Sequence, residues 1–185
     1  MVVNINILVE DLERQELEAP LGVASPQVYA QLLAIYLYYK DLCNAKFLWK
    51  RIPAIVKTAN PELEQIWMVG KHLWTSDFPS TYRALEAVQW SDAIAEIMKN
   101  VQLVVRTRAV DLISQAYSSI TIENVANMTG LPHDLCVQAC LEKGWRVDKE
   151  SKIVYPVKPT PEPLAPPSSE DQLYKLTDFV SFLEN

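Results

Sequence analysis

Two apolar strips at helical spacing run along the segment that follows Ser25 and Pro26. The residues of the first strip lie three or four positions apart and are Val28, Leu32, Ile35 and Tyr39. Leu33 and Leu37 form the second strip. A helix that is apolar on two sides packs between neighbouring helices rather than on a surface. Ser25 can cap the free amides of such a helix, and Pro26 suits its first position. The sequence therefore predicts a buried central helix.

Further helices are predicted after this one, with short turns between them. Asp41 and the pair Asn60-Pro61 are start signals, and Pro53 ends or kinks the intervening helix. Apolar residues keep the helical period from Asp92 to about Tyr117, as one helix or as two in series. Such a series favours a stacked helical array, although the sequence has no repeat of clear fixed period. Residues 1–108 are predicted to form this helical-repeat arm.

The pattern changes after Ser118. A short β-prone stretch at residues 120–122 precedes two helical segments separated by the turn 129–132, and Gly144 suits the end of the second helix. Residues 145–147 and 152–155 flank a polar stretch and predict a β-hairpin. A short strand, two helices and a hairpin make a winged helix, so residues 109–158 are predicted to be a winged-helix subdomain. The predicted fold class is mainly α.

The end of the sequence predicts a separate helix behind a proline-rich connector. Six of the twelve prolines lie between residues 156 and 167, and such a segment is semi-rigid and extended. We assign residues 159–170 to the linker and 171–185 to a C-terminal helix. Apolar residues repeat along it at coiled-coil spacing, with Phe179 and Phe182 beside them. We predict a protein interface at five of these residues: Leu173, Leu176, Phe179, Val180 and Leu183. A helix this short is marginal alone in water.

Composition excludes several classes of protein. The formal net charge is −6, which argues against a general binder of nucleic acid or of acidic membranes. Three cysteines are too few and too scattered for a disulfide framework, so a reducing compartment is expected. No secretory signal is recognisable, and the longest apolar run, residues 32–39, is too short to span a membrane. We expect a cytoplasmic and nuclear protein.

No residue set supports catalysis. His133, Cys136 and Cys140 are spaced to share a helix face, but a structural zinc site needs four ligands. Cys136 and Cys140 are therefore interpreted as small core residues. Two histidines and four glycines leave no nucleophile–base pair and no phosphate-binding loop. We expect no enzyme activity, no metal, no cofactor and no small-molecule ligand.

The winged helix leaves two functions open. Such folds often place their second helix in the DNA major groove. Here that helix has no arginine, and residues 109–158 contain six acidic residues against five basic ones, which disfavours phosphate contact. A protein partner is favoured instead. We predict that Lys152, Ile153, Val154 and Tyr155 offer a sheet edge to it.

Six short stretches carry a resemblance to a known family. They are residues 16–20 (ELEAP), 31–34 (QLLA), 48–53 (LWKRIP), 114–117 (SQAY), 142–145 (EKGW) and 176–185 (LTDFVSFLEN). In this order they resemble the subunit-8 family of the COP9 signalosome, a family of PCI-domain proteins. The resemblance runs from about residue 15 to the end. Its specificity lies in the number and order of the stretches, because none is a catalytic motif.

The resemblance implies a PCI domain, in which a helical arm ends in a winged helix. It implies a non-catalytic scaffold subunit whose complex removes a ubiquitin-like modifier from cullins and so regulates cullin–RING ubiquitin ligases. Other subunits of that complex are the implied partners, with a neighbouring PCI subunit at the winged helix and a helical bundle at the C-terminus. Related subunits of the proteasome lid and of translation initiation factor three are the nearest alternatives. A nucleic-acid-binding winged helix is a more distant one.

Overall fold

The computed structural model describes residues 5–148, 150–158 and 169–184. Within these ranges the chain forms ten α-helices and three short β-strands. They are α1 (Ile5–Leu17), α2 (Pro26–Tyr38), α3 (Leu42–Arg51), α4 (Ala54–Ala59), α5 (Pro61–Trp74), α6 (Phe78–Glu86), α7 (Asp92–Ala116), β1 (Ile120–Thr121), α8 (Ile122–Thr129), α9 (His133–Glu142), β2 (Arg146–Asp148), β3 (Ile153–Tyr155) and α10 (Ser169–Glu184). The predicted fold class is confirmed: a helical array leads into a winged helix with a β-hairpin, and a C-terminal helix follows.

Helix α2 is the central helix of the array, as its two apolar strips predict. Six consecutive residues, from Leu32 to Leu37, are buried, and α1, α3, α5 and α7 all contact this helix. The Ser25 hydroxyl accepts a hydrogen bond from the Val28 amide at 3.4 Å, which confirms the predicted start. The helix ends at Tyr38, so Tyr39 lies outside it and is half-exposed.

The predicted helix boundaries after α2 agree with the structure, with one different cap. The Asp41 carboxylate caps α3 by accepting a hydrogen bond from the Asn44 amide at 3.0 Å, and Pro53 separates α3 from α4. Helix α5 begins at Pro61 as expected. However, the Asn60 side chain does not cap α5. It donates to the Val56 carbonyl oxygen at 2.8 Å and so satisfies the end of α4.

A structural repeat that the sequence did not predict joins the α2–α3 turn to the α5–α6 turn. Lys40 and Ser76 both have positive φ, at 61° and 57°. Each is followed by an aspartate that caps the next helix. Asp41 caps α3, and the Asp77 carboxylate caps α6 by accepting a hydrogen bond from the Ser80 amide at 3.1 Å. Two helical hairpins of the same kind therefore stack side by side, which is the arrangement of a helical-repeat protein.

Helix α1 packs on this array through residues that the sequence analysis left unassigned. Leu12 is buried, and Ile5, Leu8 and Val9 pack against the same core. The Arg51 guanidinium donates to both carboxylate oxygens of Glu16, at 3.0 and 2.8 Å. Two parallel bonds of this kind fix the orientation of the partners as well as attracting them. The helix is therefore anchored to α2 by apolar contacts and to the end of α3 by an ion pair.

Helix α7 connects the array to the winged helix without a break. Ile94, Met98 and Val101 are buried in the larger hydrophobic core, whereas Ile113 is buried in a second core with residues of the winged helix. The predicted boundary between residues 108 and 109 therefore falls inside one continuous helix, between two cores. The division of the chain into those domains stays a prediction. Among the described residues, no helix is long and apolar enough to cross a membrane.

The three-stranded sheet of the winged helix has the order β1–β3–β2, with all pairs antiparallel. Strand β3 is thus the middle strand, and Val154 pairs with Ile120 on one side and Val147 on the other. The expectation that residues 152–155 form a free sheet edge is therefore wrong. The hairpin pattern alone gives no sign that β1 covers its second strand.

A glycine fixes the winged helix against the array. Gly130 ends α8 with φ of 64°, and the ring of Tyr82 from α6 lies directly over its Cα. The Tyr82 hydroxyl donates to the Met128 carbonyl oxygen at 3.2 Å, and Arg106 Nε donates to the Thr129 carbonyl oxygen at 2.9 Å. Burial raises the pKa of Tyr82 to about 12, so the phenol keeps its proton and its hydrogen bond even in mildly alkaline solution.

Gly130→Ala should destabilise the protein more than Gly144→Ala. Both glycines have positive φ, but a Cβ at Gly130 would lie 2.6 Å from the Tyr82 ring, whereas one at Gly144 meets nothing within 4 Å. We expect backbone strain alone to lower the free energy of unfolding by about 1–2 kcal/mol in both variants. Overpacking should lower it by roughly 1–3 kcal/mol more in Gly130→Ala. Denaturant unfolding of both variants checks this. Equal losses would show that Tyr82 yields freely and does not hold the two parts together.

Candidate protein-interaction surfaces

Helix α10 presents a continuous apolar face to solvent. The seam, formed by Leu173, Leu176, Val180 and Leu183, falls within about 80° of the helix circumference at ~100° per residue. Each of these side chains is more than half exposed, and so is Phe179 beside them. The structure thus brings all five predicted residues to one side of one helix. Whether they contact a partner stays a prediction.

The large exposed side chains of α10 are unusual for a folded protein. Leu183 is 78% exposed and Phe182, which the prediction did not include, is 79% exposed. Residues 172–184 are all exposed, so the described part of the chain gives this helix no cover. An apolar face of this kind marks an interaction site, and a lone helix of this length gains little from its own hydrogen bonds.

The four residues predicted at the wing have different environments. Val154 is fully buried in the second core and Ile153 is partly buried. Lys152 is exposed in the hairpin turn, and Tyr155 is 38% exposed with the Arg146 guanidinium 5.7 Å from its ring centre. Only Lys152 and Tyr155 are therefore exposed enough to meet a partner. The outer strands of the sheet are β1 and β2, and β2 is the longer of them.

Helix α9 occupies the place that reads DNA in many winged helices, but its exposed side chains do not suit phosphate. Leu135 and Leu141 are each more than half exposed, and Asp134 and Glu142 are exposed beside them. Cations supply the affinity for nucleic acid, and acidic side chains oppose it. The exposed face of α9 therefore lacks the cations that phosphate contact needs.

The cysteines of α9 belong to the second core. Cys136 and Cys140 are buried, whereas His133 at the start of the helix is exposed, so the three predicted neighbours do not face one site. A hydrogen bond to Cys136, together with burial, raises the pKa of the Cys140 thiol. A protonated thiol is a poor metal ligand and a poor nucleophile. The interpretation of these cysteines as core residues is confirmed by their burial, and the described residues hold no cluster suited to a metal ion.

An array of helical hairpins that shares one long helix with a winged helix is the architecture of a PCI-type protein. Comparison with known proteins agrees with this class. The family model described as CSN8/PSMD8/EIF3K matches residues 23–164. The chain belongs to this family.

Its curated relatives include proteins named COP9 signalosome complex subunit 8 from several organisms. The chain is 49% identical to the protein of Xenopus laevis over 183 residues, which is 99% of this chain and 94% of that one. It is 46% identical to the protein of Danio rerio over 96% and 93% of the two chains. For Arabidopsis thaliana the identity is 33% over 85% and 79%. The resemblance found in the sequence is confirmed.

Truncation after Pro167 should leave the body of the protein as stable as the full chain. The reason is that none of the described side chains between residues 172 and 184 is buried, so their removal takes no contact from either core. Thermal unfolding followed by circular dichroism checks this, with a melting temperature expected to change by less than about 2 °C. A drop of many degrees would mean that α10 folds back on the body in solution.

Proposed function

We propose that this chain is a non-catalytic scaffold subunit of the COP9 signalosome and so supports the removal of a ubiquitin-like modifier from cullins. The names of the relatives support that complex over the proteasome lid and translation initiation factor three, whose subunits share the family. The observation that carries the scaffold role is the uncovered seam of α10. A helix with this much exposed apolar surface needs a protein to cover it.

The proposed partners of the seam are helices of other subunits. Burying one leucine side chain contributes roughly 1.5–3 kcal/mol, and the ordering of a flexible tail offsets part of that gain. Burying all four aliphatic side chains contributes roughly 6–12 kcal/mol before that cost, and their spacing is that of helices which supercoil around one another. The chain itself would then supply one strand of the bundle and no catalytic group.

Replacing Leu176 and Leu183 together by alanine should weaken incorporation into the complex by about 100-fold. We expect each substitution to remove about 1.4 kcal/mol of binding free energy, and each such loss is a factor of ten in affinity. Alanine keeps the helix propensity, so the helix itself is not lost. Tyr174→Ala is the matched control, because Tyr174 is equally exposed but lies about 140° away from the middle of the seam. Incorporation is measured with the purified remaining subunits of the COP9 signalosome, and with those of the proteasome lid for comparison.

The same reconstitution tests the catalytic part of the proposal. The complex with the double variant should remove the modifier from a cullin more slowly, in proportion to the subunit lost, and the isolated full chain should remove none. If the chain prefers the proteasome-lid subunits, the choice of complex is refuted. Cleavage by the isolated chain, after exhaustive purification, would refute the scaffold role.

The winged helix is proposed to meet a neighbouring PCI subunit through the outer side of β2. This strand pairs with β3 on one side only, and the exposed Arg146 lies at its start. An incoming strand can satisfy unpaired backbone groups at such an edge. Strand β3 is paired on both sides and offers no such groups, so the contact moves from the predicted strand to its partner in the hairpin.

Hydrogen exchange should locate this contact. On assembly, the amides of residues 146–148 should exchange at least tenfold more slowly, because a new ladder protects them. The amides of residues 153–155 are the internal control, since they lie in the middle of the sheet in either state. Unchanged exchange at residues 146–148 in the assembled complex would show that the neighbouring subunit contacts another face of the winged helix.

A further inference from the structure

A groove of about 290 Å³ lies where the α2–α3 turn and the α5–α6 turn meet α7. Its apolar lining comes from equivalent positions of the two turns and from one side of α7, namely Leu37, Leu42, Leu73, Phe78, Val105 and Leu112. The repeated hairpins thus create a cleft between their ends that neither hairpin fills. Its volume suits one bulky apolar side chain and a short piece of the backbone beside it.

Both residues with positive φ at these turns also line the groove. Lys40 and Ser76 adopt a backbone conformation that glycine takes without strain and that other residues adopt at a cost. Strain of this kind persists at positions where a side chain serves a function. Lys40 thus places a long cationic side chain at the groove from a turn position that glycine would occupy without strain.

The rim of the groove is cationic. Lys40 and Arg108 line it, and neither has an ion pair with another described residue. Asp41 and Asp77, beside the two turns, cap α3 and α6, and Asp111, one turn from Arg108 on α7, forms no ion pair with it. Two free cations beside an apolar cleft are notable in a chain whose net charge is −6.

We propose that this groove binds an acidic peptide segment of a partner protein, with a bulky apolar side chain in the cleft and a neighbouring carboxylate on Lys40 and Arg108. Charge complementarity selects the acidic partner, since a carboxylate beside these cations gains energy that a neutral segment does not. Two cations are too few to hold a nucleic-acid backbone, which needs many phosphate contacts. The apolar lining gives affinity, and the cations fix the direction of the bound segment.

The test uses the isotope-labelled full chain and two synthetic hexapeptides. The first has one phenylalanine between two aspartates, and the second has asparagines in their place. The acidic peptide should shift the amide resonances of Lys40, Ser76 and Arg108 with saturation at a Kd of roughly 0.1–1 mM, as suits so small a ligand. The neutral peptide should bind at least fivefold more weakly. Equal binding of both, or no saturable shift at the groove, would overturn the proposal.

Two variants separate binding from folding. Lys40→Gly should keep or raise the melting temperature, because glycine relieves the strain at this turn, and should weaken the acidic peptide about fivefold. Lys99→Gln is the control, since Lys99 is an exposed lysine of α7 outside the groove, and it should bind like the unchanged chain. A lower melting temperature for Lys40→Gly would show that Lys40 serves the fold and not a ligand.

The same spectra detect other occupants. If the groove resonances of the free chain move on dilution, a second copy of the chain fills the groove. If they move on truncation after Pro167, α10 or its connector fills it. Either result overturns the assignment to a partner's acidic segment. Unmoved resonances in both controls, with saturable binding of the acidic peptide, support it.

Discussion

The packing of α7 along α2 is the contact on which the rest of this structure depends. Helix α7 supplies Ile94, Met98 and Val101 to the core of the array and Ile113 to the core of the winged helix. Because a helix is stiff along its length, the two cores cannot rotate freely about each other while α7 remains intact. The contact of Tyr82 with Gly130 and the bond from Arg106 to the end of α8 then fix the angle between them.

Local signals in the sequence predicted the helices because each signal is a residue that itself stabilises the start of a helix. The hydroxyl of Ser25 and the carboxylate of Asp41 cap the helices that follow them, and proline at residue 61 begins the next. The two apolar strips of α2 also predicted that this helix is central. Helix α1 was missed although Ile5, Leu8, Val9 and Leu12 have helical spacing.

Features that depend on distant parts of the chain were not predictable in the same way. The strand order of the sheet is set by pairing between Ile120 and Val154, and nothing near β3 in the sequence reveals that β1 will lie beside it. The repeat was missed for a different reason. Its two copies share backbone conformation and capping at Lys40-Asp41 and Ser76-Asp77, but around these turns only Leu37 and Leu73, and the two aspartates, are identical, which is too short a match to reveal a repeat. The seam of α10, by contrast, could be predicted from spacing alone.

The residues that stabilise the fold are separate from those proposed for association at α10. The cores that hold the array and the winged helix together contain none of the side chains of α10. Any free energy gained by burying the seam is therefore available for association and is not already part of the folding free energy. Under the proposed function, affinity for a bundle can therefore change through α10 without a change in the stability of the two cores. At the groove the two are only partly separate. Leu37 and Val105 line it and also belong to the core of the array, whereas Lys40 and Arg108 are exposed at its rim. A substitution at the rim therefore tests binding there without removing a contact from that core.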